Sequence, residues 1–330
     1  MTEAQKTAEY IAKNTLSETQ KIRDFLSKNR IIIVPLAQKM GGKTYYLQFF
    51  TELLGPSLFE TVFTGETVRS LKKATLAEVK AYLSSVFTKQ NDTKNLSQID
   101  QISVDILDSN SAKLVSDDII FSIIKDKISA IEYKKSIILD GVPRSIPQIQ
   151  NIKNLENKLG IKAYFFYFET DYEVLNVRAD SRRVCPICGY SKNIVSSPTN
   201  RVIHNGNEFV LICDVCAKEG KEIQMIQKPG DDKKEDILKA RYDYDVMMKA
   251  LEALMGNEFI RLNTSEKVSE YFGPIEEINK SFVYSLDHET HQVSIRSEPQ
   301  IVKLIDGSEV YAKSPEFAVV KMIKELATRI

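Results

Sequence analysis

The 330-residue chain carries 45 basic and 45 acidic side chains, with 43% hydrophobic and 27% charged residues. That composition excludes a disordered, collagenous or coiled-coil chain and leaves length for about two domains' worth of buried core. Zero net charge also speaks against a protein built mainly to hold nucleic acid, which would show a basic excess.

The N-terminus has acidic residues and no apolar run ahead of a cleavage site. No stretch approaches the ~18 apolar residues of a membrane helix. A soluble, cytoplasmic protein without membrane contact is expected. Residues 1–30 place Tyr10, Ile11, Ile22, Phe25 and Leu26 at helical spacing, which predicts one or two amphipathic helices packed on the main domain. Ile31 to Pro35 is a short β-branched apolar run, the signature of a strand buried on both faces. Further strands are predicted at Glu60–Phe63, Ser136–Asp140, Ala163–Phe168 and Glu258–Leu262. The segments between them are long enough for crossover helices, so the fold class is α/β with a doubly wound parallel sheet.

Two insertions interrupt the pattern: a helical one from about Leu71 to Ile131, and a turn-rich, cysteine-bearing one from about Val184 to Gly230. Beyond Tyr284 come alternating runs at Gln292–Arg296 and Ile301–Ile305, a turn at Asp306-Gly307, and a helix opened by Ser314-Pro315-Glu316. They read as a small ββα-like extension over 283–330. His288 and His291 within it read as polar loop, since no cysteine or carboxylate partner is in place.

Ala37-Gln38-Lys39-Met40-Gly41-Gly42-Lys43-Thr44 fits the phosphate loop G-x-x-x-x-G-K-[ST] at every fixed position except the first glycine. Such a loop wants glycines so that backbone N–H groups can curl around phosphate oxygens, a lysine for the β/γ-phosphates and a hydroxyl near Mg²⁺. It lies between a predicted strand and the helix-like run Tyr45–Leu54, although a Gly-Gly-Lys-Thr turn is also an ordinary strand-to-helix connection. All four cysteines fall in two C-x₂-C pairs, Cys185/Cys188 and Cys213/Cys216. That spacing suits tetrahedral thiolate ligation of a structural Zn²⁺; disulfides are the alternative, disfavoured in a cytosolic chain.

Leu139-Asp140-Gly141-Val142-Pro143-Arg144-Ser145, followed by Gln148, strongly resembles the adenylate kinase family, whose buried strand ends in L-D-G-F-P-R-T with a glutamine four residues after the arginine. Only Val142 and Ser145 depart. Thr64-Gly65-Glu66-Thr67-Val68-Arg69 is similar to that family's T-G-D-x-L-R, and Lys113-Leu114-Val115-Ser116-Asp117 to its K-L-V-x-D. Arg178 and Ser181-Arg182-Arg183-Val184 ahead of the first cysteine pair resemble the opening of its zinc-bearing lid. Asp231-Asp232-Lys233-Lys234-Glu235 and Arg241 resemble the element that closes it.

The resemblance covers about residues 31–282. It implies a P-loop kinase core, a monophosphate-binding domain over about 64–131 and a lid over about 182–241. It further implies reversible transfer of the γ-phosphoryl of Mg·ATP to AMP, giving two ADP. In that frame Met40, Gly41, Gly42, Lys43, Thr44 and Tyr45 cradle the donor phosphates, Asp140 orients Mg²⁺ through water, and Arg178 covers the donor base. Arg69 and Arg144 hold the acceptor phosphate. Thr64, Lys113, Leu114, Val115, Gly141, Val142, Pro143 and Gln148 surround AMP, Gln148 reading the adenine. Arg182 and Arg241 face the transferring phosphoryl, and Cys185, Cys188, Cys213 and Cys216 hold the zinc. ATP and AMP are the expected partners, of a monomer that takes no nucleic acid.

The departures are Ala37 for the first loop glycine, Lys39 and Met40 for a proline and a glycine, Tyr45 for a threonine, Pro229 at a lid arginine position beside Lys228, and Arg241 one residue late. The gap between the cysteine pairs, which holds His204, is longer than the family's. Three rival readings remain open at this level. One is a kinase for CMP, UMP or dTMP, and the second a nucleotide-binding regulator with weak or lost catalysis. The third is a zinc-ribbon nucleic-acid binder using Lys192, Arg201, Lys218 and Lys221.

Overall fold

In the computed structural model, residues 3–108, 115–229, 234–287, 289–290 and 292–330 are described, with the backbone alone at 3, 4, 234–241 and 243. Two helices, α1 (Glu3–Asn14) and α2 (Leu16–Leu26), precede β1 (Ile31–Ala37) and α3 (Lys43–Leu54). β2 (Phe59–Phe63) leads into α4 (Thr64–Leu71), α5 (Leu76–Lys89), α6 (Thr93–Ser97), α7 (Ile99–Asp108) and α8 (Asp117–Ser129). The core resumes with β3 (Ser136–Asp140), α9 (Ile146–Leu159), β4 (Lys162–Glu169) and α10 (Tyr172–Asp180). The second insertion holds β5 (Arg182–Val184), β6 (Ser191–Asn193), β7 (Val202–His204), β8 (Phe209–Leu211), α11 (Asp214–Ala217) and β9 (Ile226–Gln227). After it come α12 (Lys234–Met255) and β10 (Phe259–Asn263). The chain ends with β11 (Ser265–Lys267), β12 (Lys280–Leu286), β13 (Val293–Pro299), β14 (Ile301–Lys303), β15 (Glu309–Ala312) and α13 (Pro315–Ala327).

The five core strands pair in parallel in the order β10-β4-β1-β3-β2, so the α/β reading holds and the sequence reverses direction at β1. Alternation along each strand sorts side chains onto two faces. Ile31, Ile33, Tyr164, Phe166 and Phe168 meet α3 and α13 on one face. Ile32, Val34, Leu36, Ala163, Phe165 and Tyr167 meet α8, α9 and α12 on the other. Pro35, with no N–H to give, lies beyond the two residues of β1 that pair with β3, so β1 is released from β3 where the phosphate-loop sequence begins.

The helical insertion has its own core around Val79, Leu83, Phe87, Ile102 and Ile106. A Thr75–Glu78 capping box fixes the start of α5. Among the described residues, no helix is long and apolar enough to cross a membrane.

The parts of the 283–330 stretch go to three places. The β12–β13 ribbon lies against the cysteine-bearing insertion, where Phe282 N donates to Val195 O at 2.7 Å. β14 and β15 join β11 in a small sheet whose Val302, Val310 and Ala312 cover Val174 of α10. Their hairpin turns at Gly307, φ +86. α13 returns to the core with α1, α2 and α3, and Lys21 Nζ donates to Ala327 O at 2.6 Å. One buried cation pins this arrangement: Lys313, fully enclosed, lies 2.9 Å from Glu266 and over the Tyr271 ring.

Candidate active site

Beyond β1 the chain turns through Gln38–Gly42 into α3, whose N-terminus aims its positive dipole end into the turn. Gly41 N donates to Gln38 O at 2.9 Å. Close approach dictates both glycines: a Cβ on Gly42 would fall 2.6 Å from the Tyr46 ring, and one on Gly41 2.8 Å from the Ala37 Cβ. Ala37, at the expected first-glycine position, thus fills the space beside Gly41 with its own methyl group. Met40 keeps a left-handed backbone, φ +74, that glycine would adopt without strain. Arg178, buried on α10, donates from Nη1 to Met40 O at 3.2 Å.

Lys43 Nζ pairs with the carboxylate of Asp140 at the end of β3. Thr44 and Tyr45 are exposed at the start of α3, Tyr45 edge-on to Phe49 at 5.0 Å. The loop has a further support that no motif announced. Gln38 Nε2 donates to Asp245 Oδ1 at 3.0 Å, and the Tyr172 hydroxyl donates to the same carboxylate. These three residues come from the turn, α12 and α10, so only the fold joins them.

On the other side of β3 from β1, α4 begins directly after β2 and places Thr64, 4% exposed, with its hydroxyl buried and unpartnered. Two guanidiniums converge on the neighbouring Gly65: a Cβ there would lie 3.2 Å from Arg69 Nη1 and 3.8 Å from Arg144 Nη2. Arg144 is braced by Nε donating to Gly141 O at 3.0 Å, across a turn in which Gly141 has φ +98 and the Val142–Pro143 peptide is cis. Two planar donor forks side by side suit a phosphate dianion.

Gln148 comes to the same turn, 4% exposed, with its amide engaged. Its Oε1 accepts from Arg144 N at 2.7 Å and its Nε2 donates to Asp117 Oδ1 at 2.6 Å. Val115 packs between the core and the helical insertion. Lys113 and Leu114 lie outside the described residues.

The cysteine pairs come together. The four Sγ atoms lie within 4.8 Å of one another, with Cys185···Cys216 at 3.7 Å and Cys188···Cys213 at 3.6 Å. Zn–S bonds of ~2.3 Å in a tetrahedron put sulfurs ~3.8 Å apart, so the cluster fits the metal. Burial raises the Cys185 thiol, but hydrogen bonds from the backbone of Cys188 and Ile187 outweigh it and bring it down to about 7, toward the thiolate that zinc takes. His204 stays outside the cluster, its ring edge-on to Phe209 at 5.0 Å. Arg182 opens this insertion on β5, half-buried, and Asn193 Nδ2 ties β6 to Arg178 O at 3.0 Å. Arg241 belongs to α12, its side chain outside the description, as are Asp231 to Lys233, His288 and His291.

No family model matches the chain. Curated relatives do. An adenylate kinase of Fervidobacterium nodosum is 34% identical over 134 residues, 40% of this chain and 55% of that enzyme. One of Caldanaerobacter subterraneus subsp. tengcongensis is 29% identical over 200 residues, 60% of this chain and 80% of the relative. One of Thermoanaerobacter sp. is 30% identical over 165 residues, 49% of this chain and 70% of the relative. Against the first of these the chain spans about half of the relative's length. The longer alignments agree with a parallel sheet that reverses at β1 and an insertion gathered on four cysteines: the chain belongs to the adenylate kinase family.

Proposed function

We propose that the chain is a nucleoside monophosphate kinase that reversibly transfers the γ-phosphoryl group of Mg·ATP to AMP, giving two ADP. The observation that carries this reading is the convergence of Arg69 and Arg144 on Gly65, beside the buried, unpartnered hydroxyl of Thr64. A second phosphate site facing a phosphate loop is what a kinase of monophosphates needs and a simple ATP hydrolase does not. AMP is favoured as the acceptor because the curated relatives are named adenylate kinases.

In this reading an acceptor phosphate oxygen forms a bond to Pγ while the bond from Pγ to the ADP oxygen breaks. The chain forms no covalent link. Catalysis is positioning and charge neutralisation. Lys43, swung from Asp140, follows the β/γ-phosphates; the amides of the Gln38–Gly42 turn and the start of α3 hold the donor. Arg182 and Arg241 cover the transferring group from the lid. The Asp140 carboxylate, with Thr44 beside the lysine, would hold Mg²⁺ brought with ATP, which would supply neutralisation of phosphate charge. Zinc on the four cysteines would have no open position and would act only on the shape of the lid. The protein is read as a cytoplasmic monomer without nucleic-acid partners.

The second reading, a nucleotide-binding regulator, rests on Met40 in a glycine conformation and Ala37 in a glycine position. A coupled assay with Mg·ATP and AMP, CMP, UMP or dTMP separates the two. Turnover with AMP that collapses in Lys43→Ala and Arg144→Ala supports the kinase. Tight ATP binding without transfer to any acceptor leaves the regulator.

A further inference from the structure

The turn after β1 is tied to the core through one side chain. Gln38 Nε2 donates to Asp245 Oδ1 at 3.0 Å and lies 3.5 Å from the Tyr172 hydroxyl, which donates to Asp245 Oδ2. The backbone of Gln38 closes the turn, its carbonyl oxygen accepting from Gly41 N at 2.9 Å. Gly42 and Lys43 follow directly. A line of hydrogen bonds therefore runs from α10 through a carboxylate of α12 and one amide into the backbone at the start of α3.

Tyr172 is held in turn from β11. Asp171, the N-cap of α10, makes no capping bond with its side chain. Its Oδ2 instead accepts from Ser265 Oγ at 2.7 Å, and its N donates to the same Oγ at 3.0 Å. The first turn of α10 is thus fastened on the side away from the phosphate-loop sequence.

The chemistry fixes the orientation of the amide. A carboxylate only accepts, so Gln38 must turn its NH₂ to Asp245. That leaves Gln38 Oε1 buried without a hydrogen-bond partner, a cost offset by an NH₂ that meets an ionised acceptor, the stronger kind of bond. Asp245 also adds negative charge one side chain away from a turn read as a phosphate site, which opposes phosphate binding. Its use there lies in what it holds.

We infer that Asp245, steadied by Tyr172, is a positioning residue for the donor phosphates: through the Gln38 amide it holds the turn whose backbone N–H groups receive them, and its charge takes no part. This rests on the kinase reading above and deepens it. A turn already held in its binding shape loses less freedom when the nucleotide arrives.

The test is a double-mutant cycle in ATP affinity, measured by calorimetry, with the KM values for ATP and AMP taken from the coupled assay. Gln38→Ala and Asp245→Ala are each expected to weaken ATP binding and raise the KM for ATP about tenfold, with the KM for AMP within about twofold of wild type. The double variant should also lose only about tenfold, since both changes cut one tie. Asp245→Asn should bind ATP at least as tightly as wild type. Its Oδ1 still accepts from Gln38, its Nδ2 donates to the Tyr172 oxygen, and the repulsion is gone. Gln38→Met and Asp245→Leu, which keep side-chain volume without the hydrogen bonds, repeat the cycle where the alanine variants fold poorly. Losses that multiply to about a hundredfold in the double variant overturn the inference. So does Asp245→Asn binding as weakly as Asp245→Ala, or an equal rise in both KM values. Wild-type protein that binds ATP without transfer to any acceptor overturns the kinase reading alone, and the calorimetric cycle still decides the tie. Wild-type protein that binds no ATP overturns both.

Discussion

Arg178 donates a 3.2 Å hydrogen bond to the carbonyl oxygen of Met40, a residue whose φ of +74 places a long side chain in backbone space that glycine occupies freely. A left-handed conformation costs an ordinary residue roughly 1–2 kcal/mol, and a buried guanidinium on the strained carbonyl helps hold it there. Met40→Gly is therefore expected to stabilise the chain by about 1 kcal/mol, part of the relief being lost to the freer unfolded glycine. Thermal unfolding should move up by a few degrees. An unchanged or lower melting temperature would show that the turn carries no such strain.

In the kinase reading, removing the other partner acts on the donor site. Arg178→Lys keeps a charge but loses the planar fork, so the Met40 carbonyl is held less directionally. The KM for ATP is expected to rise about tenfold with the KM for AMP unchanged, since Arg69 and Arg144 converge on Gly65 at the start of α4. Equal changes in both constants would place Arg178 outside donor binding.

Much of this was legible because strong local rules agreed. The run from Ile31 to Pro35 reads as a strand buried on both faces, and the strand runs on to Ala37; the two C-x₂-C pairs bring four sulfurs together where the insertion folds back on itself. Arg69 and Arg144 were both singled out from motifs 75 positions apart, and the sheet brings them to one glycine. What stayed hidden was long-range and unpatterned. Gln38, Tyr172 and Asp245 carry no spacing signal and meet only once α10 and α12 have packed. The engagement of Gln148 was equally invisible, because a glutamine at a family position shows its identity and not its partners. The run at 280–286 was missed as a strand although it pairs over its whole length with β13.

The cysteine cluster should behave as a closed structural site. Chelation is expected to release zinc in a one-to-one ratio with the chain, and amide exchange over residues 182–229 should speed up at least tenfold while the core strands keep their protection. Restored zinc should restore both. A lid whose exchange ignores the chelator would mean that the hydrophobic contacts of Val202, Leu211 and Met225 suffice without metal.

The ribbon against the lid gives a pH signature. Tyr284 donates its hydroxyl to Ile194 O and lies 5.5 Å from Phe209, and burial pushes its phenol up to about 12. A folded-state pKa raised above the ordinary ~10 favours the neutral form. The stability it contributes is therefore fully present below pH ~10 and is lost as pH rises through about 12. Tyr284→Phe should remove one late-titrating phenol from the absorbance titration near 295 nm and abolish that part of the alkaline loss. If the ribbon restrains the lid, the substitution also loosens amide exchange at residues 191–197. A titration that loses an ordinary phenol instead would show that Tyr284 is solvated.

Lys43 and Asp140 hold each other at the mouth of the turn after β1. Their side chains are 22% and 15% exposed, sheltered enough for the pair to hold Lys43 away from an incoming phosphate. In the proposed reaction, ATP would draw the lysine off the carboxylate, which would then be available to Mg²⁺. Asp140→Asn separates the two roles, since it releases the lysine at once and removes the metal-side charge. Binding of ATP in the presence of a chelator should stay the same or tighten by up to about tenfold, while phosphoryl transfer with Mg²⁺ should fall by about 10²–10³. Lys43→Met should weaken ATP binding and abolish transfer together. The opposed directions in Asp140→Asn are the signature, because damage to the fold would weaken binding and catalysis alike. Calorimetry with metal-free ATP beside the coupled assay reads both, and weaker metal-free binding would show that Asp140 serves the phosphate loop as a brace for Lys43.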